Sequence, residues 1–313
     1  MKRRSDVRGI LLLDKAPGQT SFQSLSIVKR VLGTGRVGHC GTLDKFAEGL
    51  MIVLVGSYTR LVPWFTGLDK TYEAKILLGE ETDTLDPEGT VIEHAPPPEE
   101  PAFRAAIPSF VGAIDQVPPS YSAIHVDGKR AWQRVRDGQT LTMPPRPITI
   151  YELSLEAWQP PCANVSVHCS SGTYVRSLAR DIARASGSCG RLETLSRSGI
   201  GAFSRDDAIR LPESLEESSR LIAQALVPVR REQLEKAGLF VLTIPPSELA
   251  SVRNGRPLSN DIRSSCLSAS GDIALVDTAD ELVAVLRQGP RGLSYACVMP
   301  PPSTVAVQAG GGA

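Results

Sequence analysis

The sequence predicts an α+β protein with a large N-terminal domain and a small β-rich domain at its C-terminal end. Three observations carry that expectation. The chain of 313 residues exceeds what one hydrophobic core normally supports. Short apolar runs that read as strands are interleaved with segments of helical apolar spacing. After Leu226-Val-Pro-Val the pattern changes to short apolar segments near 238–243, 273–277 and 282–287, separated by turns.

Residues 9–13, GILLL, are a short apolar run bounded by charge and read as a buried strand. Asp14 and Lys15 end it too soon for a signal peptide or a membrane span. Thr20 and Ser21 offer an N-cap to a helix with Phe22, Leu25, Val28 and Leu32 at helical spacing, and Gly33 offers its stop. Residues 34–46 hold three glycines and little periodicity, so they read as a loop, with an apolar helix over 47–55 after it. Residues 72–78 read as a strand and the acidic stretch 80–88 as an exposed turn. His94-Ala-Pro-Pro-Pro-Glu-Glu-Pro is a rigid connector into a helix near 101–112. The Lys/Arg-rich segment 126–146, broken by Gly and Pro, reads as a mobile basic excursion. Strands near 147–158 and 163–169 lead through Ser170-Ser-Gly-Thr into a helix over 174–185. Near the end Arg253-Asn-Gly-Arg-Pro signals a turn, and 301–313 contains little that packs and is expected to be disordered.

A hydrophobic fraction of 42% and a charged fraction of 22% belong to an ordinary globular chain. No apolar run is long enough to cross a bilayer, so the expectation is a cytoplasmic protein without a membrane partner. Cys40, Cys162, Cys169, Cys189, Cys266 and Cys297 form no CxxC pair, and His39, His94, His125 and His168 stand apart. That spacing indicates neither a zinc ribbon nor a disulfide framework, and no metal is expected. The formal net charge of zero conceals a sharp segregation. Residues 1–70 carry 11 Lys/Arg against 5 Asp/Glu, 71–100 carry 1 against 9, and 101–212 carry 13 against 9. Two basic segments would line a phosphate-binding groove if the fold joins them; solvated faces that merely differ in sign are the alternative.

The densest cluster of unusual residues is Gly38-His39-Cys40-Gly41-Thr42-Leu43-Asp44-Lys45-Phe46-Ala47-Glu48-Gly49-Leu50. Glycines flanking an acidic residue let backbone approach a ligand closely. From position alone, Asp44 before an apolar helix is most simply an N-cap. The stretch resembles, however, the GHxGxLDxxAxGxL motif of TruB-type pseudouridine synthases, met at every named position except the last, where Met51 stands for Leu. Five further blocks resemble that family in the same order: Asp14-Lys15-Ala16-Pro17-Gly18-Gln19-Thr20-Ser21, Lys70-Thr71-Tyr72, Pro118-Pro-Ser-Tyr-Ser-Ala, Ser171-Gly172-Thr173-Tyr174-Val175-Arg176-Ser177-Leu178 and Leu195-Ser-Arg-Ser-Gly-Ile-Gly-Ala-Phe. Together they reach from residue 9 to about 205. The chain departs from the pattern at Ala16 and Lys45, where the family has Pro, and at Ser196, where it has Arg. The first two bear on loop rigidity and the third on one phosphate contact.

The resemblance implies a pseudouridine synthase catalytic fold, a mixed and mostly antiparallel sheet flanked by helices and loops, over 1–236. A PUA-like RNA-binding module follows over 237–300, a weaker match than the first. It further implies a cofactor-free isomerase acting on the TΨC-arm uridine of tRNA at position 55, without guide RNA and as a monomer. By the same token Asp44 is the catalytic carboxylate, Arg176 its cationic partner, and Tyr72 the aromatic that stacks on the target base and carries a proton. Such a carboxylate must be charged to act, burial disfavours the charge, and a neighbouring guanidinium restores it. Leu195 would close the opposite side of the pocket, His39 would hold the target nucleotide out of its stack, and Lys15 would contact substrate. The excursion 126–146, with Lys129, Arg130, Arg134, Arg136 and Arg146, corresponds to the RNA-gripping loop. Taken singly, Arg176 reads as a surface arginine, Tyr72 as a core tyrosine and His39 as a loop histidine bonded to backbone.

Three other readings compete. A guide-RNA-dependent relative acting on ribosomal RNA usually carries a longer N-terminal extension and a clearer PUA domain. A non-catalytic RNA binder would not need Asp44, Tyr72 and Arg176 together. A carboxylate hydrolase would need a second acid, for which the motif offers only Glu48, expected to face away.

Overall fold

The computed structural model describes residues 7–122, 143–266, 269–289 and 292–301, and the backbone pairing of His125–Val126 with Lys129–Arg130. The side chains of Lys129, Arg130, Arg134 and Arg136, and the tail from residue 302, lie outside the described residues.

The α+β expectation holds. The strands are β1 (Gly9–Lys15), β2 (Val37–His39), β3 (Glu48–Val55), β4 (Lys70–Leu78), β5 (Glu80–Thr82), β6 (Val91–His94), β7 (Gly112–Gln116), β8 (His125–Val126), β9 (Lys129–Arg130), β10 (Arg146–Gln159), β11 (Cys162–Cys169), β12 (Gly190–Ile200) and β13 (Phe203–Ser204). The small C-terminal unit adds β14 (Phe240–Thr243), β15 (Ile273–Val276), β16 (Leu282–Gly289) and β17 (Gly292–Val298). The large sheet runs β1-β3-β12-β4-β11-β10-β7, with β2 on β3 and β13 on β12; the C-terminal sheet runs β14-β15-β16-β17.

Residues 47–55 are not a helix. From Gly49 to Val55 every residue is buried, in a run too short and too uniformly apolar to show a period. Such a run satisfies a strand covered on both faces, and β3 lies between β1 and β12 in the sheet interior. Asp44 therefore precedes a strand, and the N-cap reading falls with the helix. The stretch 80–88 is likewise no exposed turn, since Glu81, Thr82 and Asp86 are all buried. Glu81 and Asp86 face inward because arginines of the helix Val175–Ala185 meet them: Arg184 contacts Glu81 at 2.6 Å and Arg176 contacts Asp86 at 3.4 Å. The segment 34–46 is loop except for β2, and the helix expected near 101–112 is Glu100–Ala106 with a 3-10 turn at Ile107–Phe110.

Thr20 caps the helix Ser21–Leu32 through a capping box with Gln23, and Gly33 ends it in the left-handed conformation, at φ 61°. Phe22 does not join its core face. It is 69% exposed, with the Lys29 ammonium 5.3 Å from its ring.

All pairings of the large sheet are antiparallel except β3 with β12, which touch in parallel at two positions, Ser196 with Glu48 and Arg197 with Gly49. Gly49 is required there. Its φ is 110°, and a Cβ would stand 2.4 Å from the Arg197 carbonyl oxygen. Asp14, Glu48 and Ser196 converge beside this joint on Arg205, and Arg210 reaches the same two acids.

Two cores matter for the site. One packs β4, β11 and β10 against the helix Val175–Ala185 and includes Leu43, Tyr72 and Leu195. The other is continuous from Leu50 and Ile52 through Tyr58, Leu61 and Phe65 into Ala274, Val276 and Val285 of the C-terminal sheet. The two units thus share an apolar interface, the condition under which domains hold a fixed relation.

Candidate active site

Asp44 lies on the loop between β2 and β3, and the chain fastens that loop from four directions. Leu43 and Ala47 sink into the core on either side of it. The Ser21 hydroxyl accepts from the Leu43 amide at 3.0 Å and donates to its carbonyl at 3.1 Å. The Gly18 amide donates to the Lys45 carbonyl at 2.8 Å. Arg197, 1% exposed, donates from Nε to the Leu50 carbonyl at 2.7 Å and from Nη2 to the Gly41 carbonyl at 3.1 Å.

Arg176 projects from the first turn of the helix Val175–Ala185 onto this loop. Its Nη2 donates to Asp44 Oδ1 at 3.2 Å, and its Nε stands 2.9 Å from Oδ2 with the hydrogen aimed elsewhere. The remaining donors hold the guanidinium in place: Nη1 to the Thr84 carbonyl at 2.8 Å and Asp86 Oδ2 at 3.4 Å, Nη2 to the Tyr121 carbonyl at 3.1 Å. Asp86 in turn accepts from the Thr84 hydroxyl at 2.6 Å and the Glu88 amide at 3.0 Å. Burial pushes the Asp86 carboxyl above the usual range, against the pull of Thr84 and Arg176. One buried guanidinium therefore spans two carboxylates, of which Asp44 is the more open, its side chain 37% exposed against 8% for Asp86.

Asp44 and Arg176 border a cavity of about 930 Å³ that Tyr72, Leu195, Lys70 and Arg197 also line. Tyr72 on β4 and Leu195 on the adjacent β12 are nearly buried, at 8% and 6% exposure. Burial raises the Tyr72 phenol, which keeps it protonated, although Arg197 opposes the shift. Lys70 and Arg197 bring positive charge to the same cavity lining. Lys70 donates to the Thr66 carbonyl at 2.6 Å and also to that of Leu68, and burial lowers its pKa to about 8. A carboxylate held by Arg176 at the edge of such a cavity is a preorganised negative centre, suited to stabilising positive charge or attacking an electrophilic carbon.

Of the residues expected from the sequence, Asp44, Tyr72, Arg176 and Leu195 come together here. Two others stand elsewhere. Lys15 is 2% exposed and does not line the cavity; its ammonium donates to the carbonyls of Ala16, Gln19 and Lys45 at 3.0, 2.6 and 3.4 Å, bracing the loop from below. Burial lowers it to about pH 8, with Asp44 opposing and Arg197 adding to the shift. His39 on β2 pairs with Val53 and also lies outside the cavity lining; its Nδ1 is buried without a hydrogen-bond partner, and burial and then Arg197 lower its pKa. Glu48 faces away as expected, although from a strand, and Arg205 and Arg210 hold it below the usual range against burial.

Sequence reasoning missed Asp86, Lys70 and Arg197 as site residues. Lys70 stood inside a recognised block and Arg197 next to the noted departure at Ser196, which itself accepts from Arg205 at 2.6 Å. Asp86 gave no local signal.

The family described as "TruB family pseudouridylate synthase (N terminal domain)" matches residues 29–175. The chain is 43% identical over 227 residues to tRNA pseudouridine synthase B of Treponema pallidum (strain Nichols), a match covering 65% of this chain and 62% of that relative. It thus spans under two thirds of that protein. It is 39% identical to tRNA pseudouridine synthase B of Borreliella burgdorferi (strain ZS7), covering 70% of this chain and 78% of the relative. The corresponding protein of Arthrobacter sp. (strain FB24) is 41% identical, with 73% and 79% covered. Among solved structures, an H/ACA RNP bound to a substrate RNA containing 2'-deoxyuridine shares the fold at a TM-score of 0.67 and 21% identity, covering 94% of this chain and 86% of that one.

Proposed function

Because the chain belongs to the TruB family of pseudouridylate synthases, we propose that it converts the TΨC-arm uridine of tRNA, position 55, to pseudouridine as a stand-alone cytoplasmic monomer. The observation that carries this reading is the Asp44–Arg176 pair opening on a cavity between Tyr72 and Leu195. The reaction breaks the C1′–N1 bond, turns the base and forms C1′–C5; C5 loses its proton and N1 gains one. Nothing is oxidised or added, so one positioned carboxylate is chemically sufficient. Asp44 acts either by adding to the nucleotide or by steering sugar deprotonation and stabilising positive charge at C1′.

The target base must leave its stack to reach Asp44. Tyr72 and Leu195 then receive its two faces, and the protonated Tyr72 phenol exchanges protons at the ring. Arg176 keeps Asp44 charged and oriented. His39 acts at the flipped nucleotide, Lys129 and Arg130 grip the RNA from the 126–146 loop, and a PUA-like module over 237–300 holds the remainder of the tRNA. The names of the relatives favour tRNA over a guided substrate, and the H/ACA likeness bears on fold alone.

The test is incubation of the purified chain with an unmodified tRNA transcript, without guide RNA, followed by mapping of pseudouridine. Product at the TΨC uridine is expected. Absence of product refutes the stand-alone reading, and activity surviving Asp44→Ala refutes the role given to Asp44.

A further inference from the structure

The C-terminal unit and the cavity share a wall. Residues Val62, Pro63, Thr66 and Gly67 line the cavity, and they belong to the short helix Val62–Thr66 and its end. Trp64 in that helix points the other way, into the C-terminal sheet. Its Nε1 donates to Asp272 Oδ2 at 2.8 Å, just ahead of β15, and the Arg287 guanidinium on β16 lies 5.6 Å from its ring centre. Arg287 Nε also contacts Asp272 Oδ2 at 3.2 Å, so acid, indole and guanidinium form a closed triangle. Phe65 sits in the apolar core common to both units, and Arg60 donates to the Val298 carbonyl at 2.6 Å.

On the cavity side the carbonyl of Thr66, the last residue of that helix, and the carbonyl of Leu68 just beyond it hold the Lys70 ammonium. Lys70 is 6% exposed, and among the described residues its hydrogen-bond acceptors are those two carbonyls, which fix its position. A continuous line of contacts therefore runs from the C-terminal sheet through Trp64 to the cavity lining.

We propose that Trp64, clamped by Asp272 and Arg287, is a positioning residue that sets the Val62–Gly67 wall and the Lys70 ammonium for catalysis. The C-terminal unit then has a part in the chemical step separate from any hold on RNA. This rests on the proposed activity, in that the wall being set belongs to that site. Five-residue helices are not stable alone, so this one takes its place from what packs on it. A misplacement of about 1 Å at a reacting centre can cost on the order of a hundredfold in rate.

The experiment compares full-length Trp64→Ala, Trp64→Phe, Asp272→Ala and Asp272→Asn. Single-turnover rates at saturating tRNA transcript are measured with RNA dissociation constants, thermal midpoints and hydrogen exchange of residues 62–72 in the free protein. Trp64→Ala and Asp272→Ala are expected to slow the single-turnover step by roughly ten- to a hundredfold with RNA affinity within about twofold. Their exchange over 62–72 rises. Asp272→Asn keeps an acceptor for the indole and retains the wild-type rate, and Trp64→Phe keeps the ring and falls between. Unchanged exchange over 62–72 in Trp64→Ala overturns the proposal whatever the RNA assay shows. So does an effect confined to affinity or to the thermal midpoint. A wild-type chain without activity, with exchange still raised in Trp64→Ala, refutes the proposed function and leaves the positioning intact.

Discussion

Replacing Arg176 by Met removes a guanidinium while keeping most of the side-chain volume, and the structure shows what it strands. The carbonyls of Thr84 and Tyr121 each lose a donor, and Asp86 loses its cation. A buried carbonyl without a partner costs about 1 kcal/mol at the low end, and breaking a buried ion pair costs about 3–5 kcal/mol. Asp86 keeps the Thr84 hydroxyl and the Glu88 amide, which places its share nearer 2 kcal/mol. The expected loss is therefore about 4 kcal/mol, read as a lowered urea midpoint at constant m-value. The double variant Arg176→Met/Asp86→Asn no longer strands the buried Asp86 charge and should recover about 1–2 kcal/mol, a positive coupling between the two positions. Pseudouridine formation should fall by roughly a hundredfold or more in both, since Asp44 stands without its partner in each. A loss below about 1 kcal/mol, or a double variant no more stable than Arg176→Met, would refute the account of one guanidinium serving two carboxylates.

Gly49→Ala forces a Cβ against the Arg197 backbone at φ 110°, and calorimetry should show a loss of about 2–4 kcal/mol. Ser21→Ala leaves the Leu43 amide and carbonyl unpaired, so stability should drop by about 1–2 kcal/mol and turnover should slow at unchanged RNA affinity, both readable in one preparation. Burial lowers Lys70 from 10.5 to about 8, so the folded chain has released a proton that the unfolded chain still holds. Between about pH 8 and pH 10.5 this residue makes stability rise with pH, and the wild-type minus Lys70→Met difference, followed by denaturation across that window, should rise with it. Asp44→Asn should keep tRNA binding in a filter assay while conversion is lost; parallel loss of both would count against a purely chemical role.

Asp44 and Arg176 were legible because each sits in a dense local block, and their ion pair supplies the physical link between the two blocks. Asp86 was not, for a reason the fold makes plain. It lies 90 positions from Arg176 in an acidic stretch, and only the return of the helix Val175–Ala185 makes that stretch an interior one. The strand at 48–55 was misread because a uniformly buried apolar run carries no period to distinguish strand from helix. Lys15 enters the expected site only through the resemblance, as a contact to substrate. Its ammonium instead satisfies backbone carbonyls, a use that no pattern of residue types announces. The period-3.6 face that included Phe22 failed at that residue, because the helix buries the stripe of Ser21, Ser24, Leu25 and Val28 instead.

The place of β12 in the sheet bears on how the molecule comes into being. This strand, residues 190–200, is inserted between β3 and β4, and it joins the early part of the chain to the middle. Arg176 reaches Asp44 across 132 positions, Arg197 reaches Gly41 across 156, and Arg205 reaches Asp14 across 191. Closures of that length are slow, since chain entropy is lost before any contact repays it. A polypeptide that ends before residue 190 already contains Asp44, Tyr72 and Arg176 but lacks the strand that stands between β3 and β4. Synthesis therefore delivers Asp44, Tyr72 and Arg176 before the strand that joins the two parts of the sheet carrying them.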